Sequence, residues 1–224
     1  MGLLASLQEL VFPTRCAGCE LPGAVLCDTC REAMPLIAAQ TACPRCGAPF
    51  GRLVCTECWD REWAFEAALS LGEFGSQLAR AVVVHKDAGE QRLGAVLGTL
   101  LADRVVQTWP GWAKSIAYVP ATASAMRRRG FDHGLAIASE VSERMNVRLS
   151  RELARADAAD QRDLDRDDRA RNAAGSFEIV GHVRGNVLLC DDVFTTGATL
   201  DAAAALLLEQ GASAVRCATV ARAW

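Results

Sequence analysis

Two adjacent carboxylates and a hydroxyl-rich loop are the residues of this 224-residue chain best suited to chemistry. Asp191 and Asp192 follow a short apolar run of strand character at 187–190, and Thr195 to Thr199 read TTGAT before a helical pattern that opens at Leu200. A buried strand aims such carboxylates at the space beyond its carboxyl end. The loop offers backbone N–H groups, and the following helix N-terminus favours a phosphate. The pattern therefore predicts a site for a phosphorylated sugar.

The stretch 190–199 resembles the phosphoribosyl-diphosphate (PRPP) motif of type I phosphoribosyltransferases, with all the residue types of that motif present. The resemblance implies that Asp191 and Asp192 hold the 2- and 3-hydroxyls of the ribose. It also implies that the loop cradles the 5-phosphate through Thr195, Thr196, Gly197, Ala198 and Thr199. The alternative is an ordinary strand–turn–helix with a capping threonine. A nucleotide hydrolase is excluded because the chain contains no GxxxxGK[ST] loop.

Eight of the ten cysteines form four CxxC pairs near the start of the chain. The pairs are Cys16/Cys19, Cys27/Cys30, Cys43/Cys46 and Cys55/Cys58. Two CxxC turns complete a tetrahedral zinc shell, so the four turns predict two structural Zn²⁺ ions with no open position for water. The duplicated spacing favours sequential pairing of the turns, with an interleaved arrangement as the alternative. A disulfide framework is disfavoured because no export signal is recognised.

A second anion site is predicted where another short strand, 115–119, ends at Pro120. A small-residue loop follows, and then Arg127, Arg128 and Arg129. Arginine presents a planar, permanently charged fork that suits phosphate oxygens. In type I phosphoribosyltransferases the corresponding strand end binds pyrophosphate. This resemblance assigns the three arginines to anion contact and the loop to pyrophosphate: Val119, Pro120, Ala121 and Thr122. A solvated arginine face is the alternative.

Two further segments are candidates for contact with a bound anion. Lys86 lies at a predicted helix junction, where it meets either a pyrophosphate or only solvent. Residues 151–172 alternate in charge, and Arg162, Arg166 and Arg169 recur at helical spacing. Such a segment is typical of a solvated linker. A mobile, arginine-bearing flap over an anionic site is the alternative, since its closure would exclude water.

Composition predicts a globular protein and excludes several other classes. Hydrophobic residues make up 51% of the chain and the formal net charge is −3, which argues against a surface that grips nucleic acid throughout. No apolar run reaches about 18 residues, so no membrane span is predicted. Residues 1–11 lack the features of a signal peptide and instead predict a short amphipathic helix. We therefore expect a cytoplasmic protein.

Strands alternate with helices from about residue 67 onward, which predicts an α/β fold with a parallel sheet. We expect two domains: an N-terminal helix and double zinc ribbon over 1–62, and a type I phosphoribosyltransferase-like domain over 63–224 with helices on both faces of its sheet. Cys190 and Cys217 lie in apolar strand contexts and are expected to be small core residues.

With these parts in order, the chain is identified as a member of the ComF/GntX-type phosphoribosyltransferase-like proteins. The resemblance rests on the four CxxC turns, on VPxxxxxxRRRGF at 119–131, on RxxRxxNxxGxF at 166–177 and on CDDVFTTGAT at 190–199. Many relatives carry Gly-Phe-Asn-Gln where this chain has Gly130-Phe131-Asp132-His133. The carboxylate introduced at residue 132 opposes direct phosphate contact there.

The resemblance implies PRPP bound with Mg²⁺, structural zinc, and a link to natural competence and DNA uptake. The implied reaction is displacement of pyrophosphate by an amine or nitrogen base, with Asp191 and Asp192 as the catalytic pair. The implied partners are PRPP, single-stranded DNA and other competence proteins. Two alternatives stay open: a non-catalytic module that binds single-stranded DNA, and an adaptor whose zinc ribbon docks a partner. His85 and His133 are candidate proton carriers.

Overall fold

The computed structural model describes residues 13–151, 153–155 and 177–224. The amphipathic helix predicted over residues 1–11 lies outside these ranges. So do the predicted flap arginines, Arg162, Arg166 and Arg169, and most of the motif at 166–177. Within the described ranges, no helix is both long and apolar enough to cross a bilayer.

Four parallel strands form the main sheet. In chain order the strands of the described residues are β1 (Ala67–Glu73), β2 (Ser115–Tyr118), β3 (Leu153–Arg155), β4 (Phe177–Ile179), β5 (Gly185–Phe194) and β6 (Ala212–Arg222). The sheet has the spatial order β1-β6-β5-β2, while β3 and β4 form a separate antiparallel pair. A parallel sheet needs cover on both faces, and β5 is accordingly buried without a break from Val187 to Asp192.

Helices cover both faces of this sheet. They are α1 (Asp28–Glu32), α2 (Thr56–Trp59), α3 (Ser76–Lys86), α4 (Arg92–Thr108), α5 (Ala123–Arg129), α6 (His133–Met145) and α7 (Ala198–Glu209), with a 3₁₀ turn at Ala39–Thr41. Side chains of β5 alternate between two cores: Leu188 and Cys190 join the core built by α3, α4 and α6, whereas Val187 and Leu189 join the core built by α7. The predicted parallel α/β fold with helices on both faces is confirmed.

The cysteine-rich region covers the β1 edge of the sheet. Ile37 donates its N–H to the carbonyl oxygen of Leu71 (3.0 Å), and Leu36 forms an antiparallel bridge with Gly72. A Cβ atom at Gly72 would lie 2.6 Å from the carbonyl oxygen of Pro35, so only glycine permits this approach. An open strand edge invites pairing with other chains. The zinc ribbon therefore also protects the sheet.

Element ends differ from the predicted ones at the threonine loop. Strand β5 continues through the acidic pair to Phe194, where the sequence pattern predicted an end at Cys190. Helix α7 begins at Ala198, two residues before the predicted start at Leu200. Gly197 adopts a left-handed conformation at φ 76°, which turns the chain so sharply that the helix starts at the next residue.

Two further boundaries move candidate residues from loops into helices. Helix α5 begins at Ala123, within the small-residue loop predicted over 121–124, because the Oγ1 of Thr122 accepts the N–H of Ala125 (3.2 Å) as an N-cap. Lys86 is the last residue of α3 rather than part of a connection between helices. Both changes fix side chains near the carboxyl ends of the strands on rigid elements.

Candidate functional site

The acidic pair lies at the carboxyl end of the parallel sheet, beside the end of β2. Asp191 and Asp192 are only 9% and 4% exposed. Tyr118, the last residue of β2, is in register with Cys190 of β5, and Val119 donates its N–H to the carbonyl oxygen of Cys190 (3.0 Å). The structure thus brings the two predicted anion loops to the same end of the sheet, where open α/β folds bind ligands.

Lys86 and His133 lie at ion-pair distance from the Asp192 carboxyl. The Nζ of Lys86 lies 2.6 Å and the Nε2 of His133 lies 3.1 Å from its Oδ2. Burial raises the pKa of the Asp192 carboxyl, but the hydrogen bond from His133 and the charge of Lys86 outweigh burial and hold this pKa well below its usual range. Asp192 is therefore the ionised member of the pair. Lys86, predicted as a pyrophosphate contact, is paired with this carboxylate.

Asp191 has the opposite electrostatics. Burial and the neighbouring charge of Asp192 raise the pKa of Asp191 well above its usual range, although the N–H of Asp192, donating to Oδ1 of Asp191 at 2.8 Å, opposes this rise. Two carboxylates in contact cannot both ionise at low cost. The pair therefore offers a sugar two carboxyl groups with opposite pKa shifts, of which Asp191 retains a proton more readily and Asp192 is the stronger acceptor.

Arg129 selects the tautomer of His133. The Nη1 of Arg129 lies 3.3 Å from the Nδ1 of His133, and its Nη2 donates to Oδ1 of Asp87 (2.9 Å). A guanidinium only donates, so Nδ1 accepts and the ring hydrogen sits on Nε2, which faces Asp192. His133 thus orients Asp192. The other candidate proton carrier, His85, is buried with its ring nitrogens 3.1 and 3.4 Å from backbone carbonyl oxygens.

The acidic pair offers oxygen ligand atoms of the kind that Mg²⁺ prefers. Ligand atoms of His133, Asp191 and Asp192 lie within 4.8 Å of one another. Mg²⁺ prefers oxygen ligands and is usually held by one or two carboxylates together with waters and substrate phosphates. The two aspartates suit this pattern, whereas a single imidazole does not add to it.

The threonine loop presents backbone N–H groups and turns its carbonyl groups away. The Nη1 of Arg222 donates to the carbonyl oxygen of Thr195 (2.9 Å), and the Nη1 of Arg61 donates to that of Thr196 (3.2 Å). The N–H and C=O of a trans peptide point in opposite directions, so the N–H groups of Thr196 and Gly197 face away from these arginines. Neither N–H donates to another described residue.

The remaining residues of the predicted phosphate contact form the first turn of α7. The N–H of Ala198 lies 3.4 Å from the Oγ1 of Thr196, and Thr199 follows within the helix. Helix α7 has 12 residues, so the helix dipole places a partial positive charge at its N-terminus. The structure therefore gathers the five residues from Thr195 to Thr199 into one turn suited to a phosphate.

An internal carboxylate occupies the predicted pyrophosphate loop. The Oδ2 of Asp132 accepts the N–H of Ala121 (3.0 Å), while its Oδ1 accepts the N–H of Leu135 (3.1 Å) and caps α6. Val119 and Pro120 are buried behind this loop. Asp132 therefore holds the N–H that was expected to meet pyrophosphate.

The three consecutive arginines differ in exposure and in contacts. All three lie in the last turn of α5. The side chain of Arg129 is 8% exposed and engaged with Asp87 and His133, whereas Arg127 and Arg128 are exposed. Within the described ranges, neither exposed arginine has an ion-pair partner. The predicted anion contact therefore divides into one arginine that orients the acidic pair and two that stay open to a ligand.

Arg155 of β3 reaches the site although the sequence analysis did not select it. Its Nε donates to the carbonyl oxygen of Pro120 (3.1 Å), and its guanidinium lies 4.4 Å from the ring centre of Phe177 on β4. Burial lowers the pKa of Arg155, while the charges of Asp191 and Asp132 raise it. In the sequence, Arg155 is a single arginine in a segment whose alternating charges indicated a solvent-exposed linker.

The eight CxxC cysteines form two separate centres paired in sequential order. The first centre is Cys16, Cys19, Cys27 and Cys30, and the second is Cys43, Cys46, Cys55 and Cys58, with the sulfurs of each within 4.8 Å of one another. The Sγ atoms of Cys16 and Cys27 are 3.6 Å apart, as are those of Cys46 and Cys55. A tetrahedral shell with Zn–S bonds of about 2.3 Å has edges of about 3.8 Å. Both centres therefore fit zinc.

Backbone N–H groups prepare these sulfurs to bind a cation. The N–H groups of Gly18 and Cys27 point at the Sγ of Cys16 (3.4 and 3.3 Å), and that of Cys55 points at Cys43 (3.4 Å). Burial raises the pKa of the Cys16 thiol, but these backbone donors outweigh burial and lower it to about 6. A thiolate is the form that ligates zinc, so these donors favour metal binding at Cys16. Burial instead raises the pKa of three other ligands, Cys30, Cys46 and Cys58.

Comparison with known proteins agrees with this geometry. The family model described as a double zinc ribbon domain matches residues 7–59, and that described as a phosphoribosyl transferase domain matches residues 132–223. The DNA utilization protein YhgH of Salmonella typhi is 28% identical over 220 residues, which cover 92% of this chain and 96% of the relative. Its counterpart in Escherichia coli strain K12 is 27% identical over the same shares.

Solved structures with distant likeness include an allosteric regulatory enzyme of purine biosynthesis, at 18% identity and a TM-score of 0.41, and a hypoxanthine phosphoribosyltransferase from Staphylococcus aureus, at 15% identity and a TM-score of 0.34. They cover 57% and 58% of this chain, which spans 26% and 62% of theirs. The two family matches agree with the two four-cysteine centres and the parallel sheet. The chain therefore carries a double zinc ribbon domain followed by a phosphoribosyl transferase domain, and it is similar to the DNA utilization proteins YhgH over nearly its full length.

Proposed function

We propose that this chain binds PRPP with Mg²⁺ at the carboxyl ends of β5 and β2 and acts as a phosphoribosyltransferase-like protein linked to DNA uptake. One observation carries the proposal: the acidic pair stands directly before a loop whose carbonyl groups are tied back by Arg222 and Arg61. The loop N–H groups suit the 5-phosphate. The unequal carboxyls of Asp191 and Asp192 suit two neighbouring hydroxyls.

In the proposed reaction, the bond between C1 of the ribose and the pyrophosphate oxygen breaks, and pyrophosphate leaves with the bonding electrons. An amine or nitrogen base forms the new bond to C1 and releases its proton to water. The negative charge of Asp192 below the sugar favours a transition state in which C1 is positive. When bound with PRPP, Mg²⁺ would be held by Asp191 and Asp192 and would neutralise charge on the leaving group.

Lys86 is proposed to change partners when the ligand binds. Its Nζ now lies 2.6 Å from Oδ2 of Asp192, and its side chain is 31% exposed, so the ammonium can leave the carboxylate without crossing a packed core. A ribose hydroxyl would replace it at Asp192. The released ammonium would then meet the pyrophosphate, which agrees with the role predicted for Lys86.

Calorimetry with PRPP and Mg²⁺ tests the pocket. Wild type should release heat on binding, and Asp192→Asn should weaken binding at least about tenfold because it removes the charged acceptor for a hydroxyl. Asp103→Asn is the matched control, since Asp103 pairs with Arg144 on α4 and α6 at the surface. Absence of binding by wild type would overturn the proposal.

Single-stranded DNA binding is the second candidate function. The relatives carry the name DNA utilization protein, and the structure exposes aromatic rings at Trp59, Phe50 and Trp224, the last two with ring centres 5.1 Å apart. Exposed rings and free arginines can stack bases and contact phosphates. This hypothesis also implies other competence proteins as partners. It further implies a cytoplasmic location, where reducing conditions would keep the zinc-binding thiolates free of disulfides.

Two assays separate the candidates. Pyrophosphate release in the presence of a panel of amines and nitrogen bases reports a transferase, and its absence despite PRPP binding favours a non-catalytic module. Oligonucleotide affinity should fall as salt rises if phosphates are contacted. Affinity that does not change with salt would exclude the arginines as the DNA contact.

A further inference from the structure

Arg222 joins the second four-cysteine centre to the threonine loop. It is the last residue of β6 and only 2% exposed. Its Nη1 donates to the carbonyl oxygen of Thr195 (2.9 Å), while its Nη2 lies 3.8 Å from the Sγ of Cys46 and 3.3 Å from Oε2 of Glu57. Glu57 lies on α2, within the last CxxC turn of that centre. One guanidinium therefore contacts both sites.

The burial of Arg222 has a cost that its contacts do not fully offset. Its guanidinium lies 3.8 Å from the ring centre of Phe194, which adds a cation–π contact. Its Nε, however, has no hydrogen-bond acceptor among the described residues. A buried charge of this kind is weak evidence for a stabilising role. A zinc ion with four thiolates would carry net negative charge, so the loaded centre would add to the counter-charge that Glu57 supplies to the arginine.

A second contact route runs in parallel through Trp63 and Arg61. The Nε1 of Trp63 donates to the Sγ of Cys58 (3.3 Å), and the guanidinium of Arg61 lies 3.6 Å from the centre of the same indole. Arg61 then donates to the carbonyl oxygen of Thr196 (3.2 Å). Cys46 thus contacts one arginine directly and Cys58 reaches the other through Trp63, and the two arginines hold two consecutive carbonyl groups of the loop.

The first centre has no such connection. No described hydrogen bond or ion pair joins Cys16, Cys19, Cys27 or Cys30 to residues 195–199. The first centre instead lies beside α3: a Cβ atom built at Gly18, inside its first CxxC turn, would lie 3.3 Å from the side chain of Gln77 on that helix. The two centres therefore differ in what they can do for the loop, although they have the same ligands.

We propose that Arg222 is a positioning residue through which the second zinc centre sets the phosphate affinity of the threonine loop. The proposal rests on the proposed function, since it assumes that the loop binds the 5-phosphate of PRPP. With Thr195 and Thr196 held by their carbonyl oxygens, the N–H groups that follow point to the ligand. Without the zinc centre, the guanidinium loses its anchor and the peptides are free to rotate.

Thermodynamic reciprocity gives the proposal a readout that does not depend on catalysis. If zinc in the second centre strengthens phosphate binding, bound phosphate must strengthen zinc binding by the same factor. Ribose 5-phosphate should therefore slow the chelator-driven release of one zinc ion per chain. Release of the other zinc, from the first centre, should be unaffected.

The experiment compares Arg222→Lys with wild type by calorimetry with ribose 5-phosphate and, separately, with inorganic pyrophosphate. Lysine keeps the charge but cannot bridge Thr195 and Cys46 with a planar fork. We expect affinity for ribose 5-phosphate to fall about tenfold, pyrophosphate affinity to stay unchanged, and zinc content to stay at two per chain. Arg216→Lys is the matched control, because Arg216 lies on the same strand and contacts Glu66, Trp109 and Trp112 instead of the loop.

Failure of this inference and failure of the proposed function give different results. If wild type binds neither PRPP nor ribose 5-phosphate, both fall. Wild-type binding together with unchanged ribose 5-phosphate affinity in Arg222→Lys overturns the positioning role alone. If Arg222→Lys unfolds or loses zinc, Arg61→Gln is the deciding variant, since its guanidinium is partly exposed. That variant must weaken ribose 5-phosphate binding severalfold while keeping its zinc, and unchanged affinity overturns the proposal.

Discussion

The Nε2 atom of His133 lies 3.1 Å from Oδ2 of Asp192, and the opposite nitrogen of the same ring lies 3.3 Å from the guanidinium of Arg129. Because a guanidinium only donates, this arrangement directs the ring hydrogen to Asp192. Lys86 adds a positive charge on the other side of the carboxylate. The site therefore keeps one aspartate ionised and leaves its neighbour Asp191 to carry the cost of burial.

A first prediction is that Asp191 lowers the folding stability of the protein while it contributes to ligand binding. Its pKa is raised in the folded state by burial and by Asp192. Its contribution to stability is therefore complete below the usual pKa of an aspartate and is lost as pH rises through the raised value. Asp191→Asn keeps an oxygen for the N–H of Asp192. At neutral pH its free energy of unfolding should exceed that of wild type by roughly 1 kcal/mol, so that it unfolds at a higher urea concentration.

The same variant should bind PRPP more weakly, since a protonated carboxyl and an amide place their donors differently. Urea unfolding at several pH values checks the prediction, and the advantage of Asp191→Asn over wild type should shrink as pH falls. A variant that is less stable than wild type at every pH would show that the Asp191 carboxyl is not strained by its neighbour.

A second prediction tests the orienting role of His133. Glutamine can accept from Arg129 and donate to Asp192, so His133→Gln should unfold within about 0.5 kcal/mol of wild type. His133→Leu removes the acceptor for Nη1 of Arg129 and leaves Oδ2 of Asp192 with Lys86 alone, and it should cost about 2–3 kcal/mol. Equilibrium urea unfolding measures both. Equal losses in the two variants would mean that ring packing, not hydrogen bonding, accounts for the contribution of His133 to stability.

A third prediction concerns the carboxylate that occupies the pyrophosphate loop. Asp132→Asn keeps an oxygen for one N–H, either that of Leu135 or that of Ala121, and removes the negative charge. Inorganic pyrophosphate should then bind roughly tenfold more tightly, since a like charge no longer opposes it. The cost in stability should be about 0.5–1 kcal/mol from the weakened cap of α6. Calorimetry decides between this result and unchanged affinity, which would place the pyrophosphate away from Ala121.

Local patterns in the sequence predicted the parts of the site that depend on neighbouring residues. The segment from Asp192 to Ala198 contains a strand end, a glycine and a helix start within seven residues, and the structure contains all three. The sequential pairing of the cysteines was likewise favoured by their duplicated spacing and is confirmed by the two centres. The domain boundary at 62/63 stays a prediction.

Contacts between distant segments were not predictable in this way. Arg222 meets Cys46 across 176 positions of sequence, and Arg61 meets Thr196 across 135. Each of these arginines lies in a context that indicates nothing beyond an ordinary strand end or a connection. Their roles follow only from how the zinc ribbon packs beside β1 and β6, which no local spacing encodes.

A last prediction separates backbone strain from close packing at the threonine loop. Gly197 and Gly89 have nearly the same left-handed conformation, at φ 76° and 77°. A Cβ at Gly197 would lie 2.6 Å from the ring of Phe194 and 2.7 Å from that of Trp63, whereas a Cβ at Gly89 would meet no atom within 4 Å. Gly89→Ala should therefore cost only the conformational term of about 1–2 kcal/mol.

Gly197→Ala should cost this term and, in addition, about 1–3 kcal/mol for displacing two rings that support the loop. Because Trp63 and Phe194 also flank Arg61 and Arg222, the added methyl group should weaken ribose 5-phosphate binding well beyond its effect on stability. Urea unfolding and calorimetry on the two variants give both quantities. Equal destabilisation by the two substitutions would show that the rings yield freely and that the loop is not held by the zinc-ribbon side of the fold.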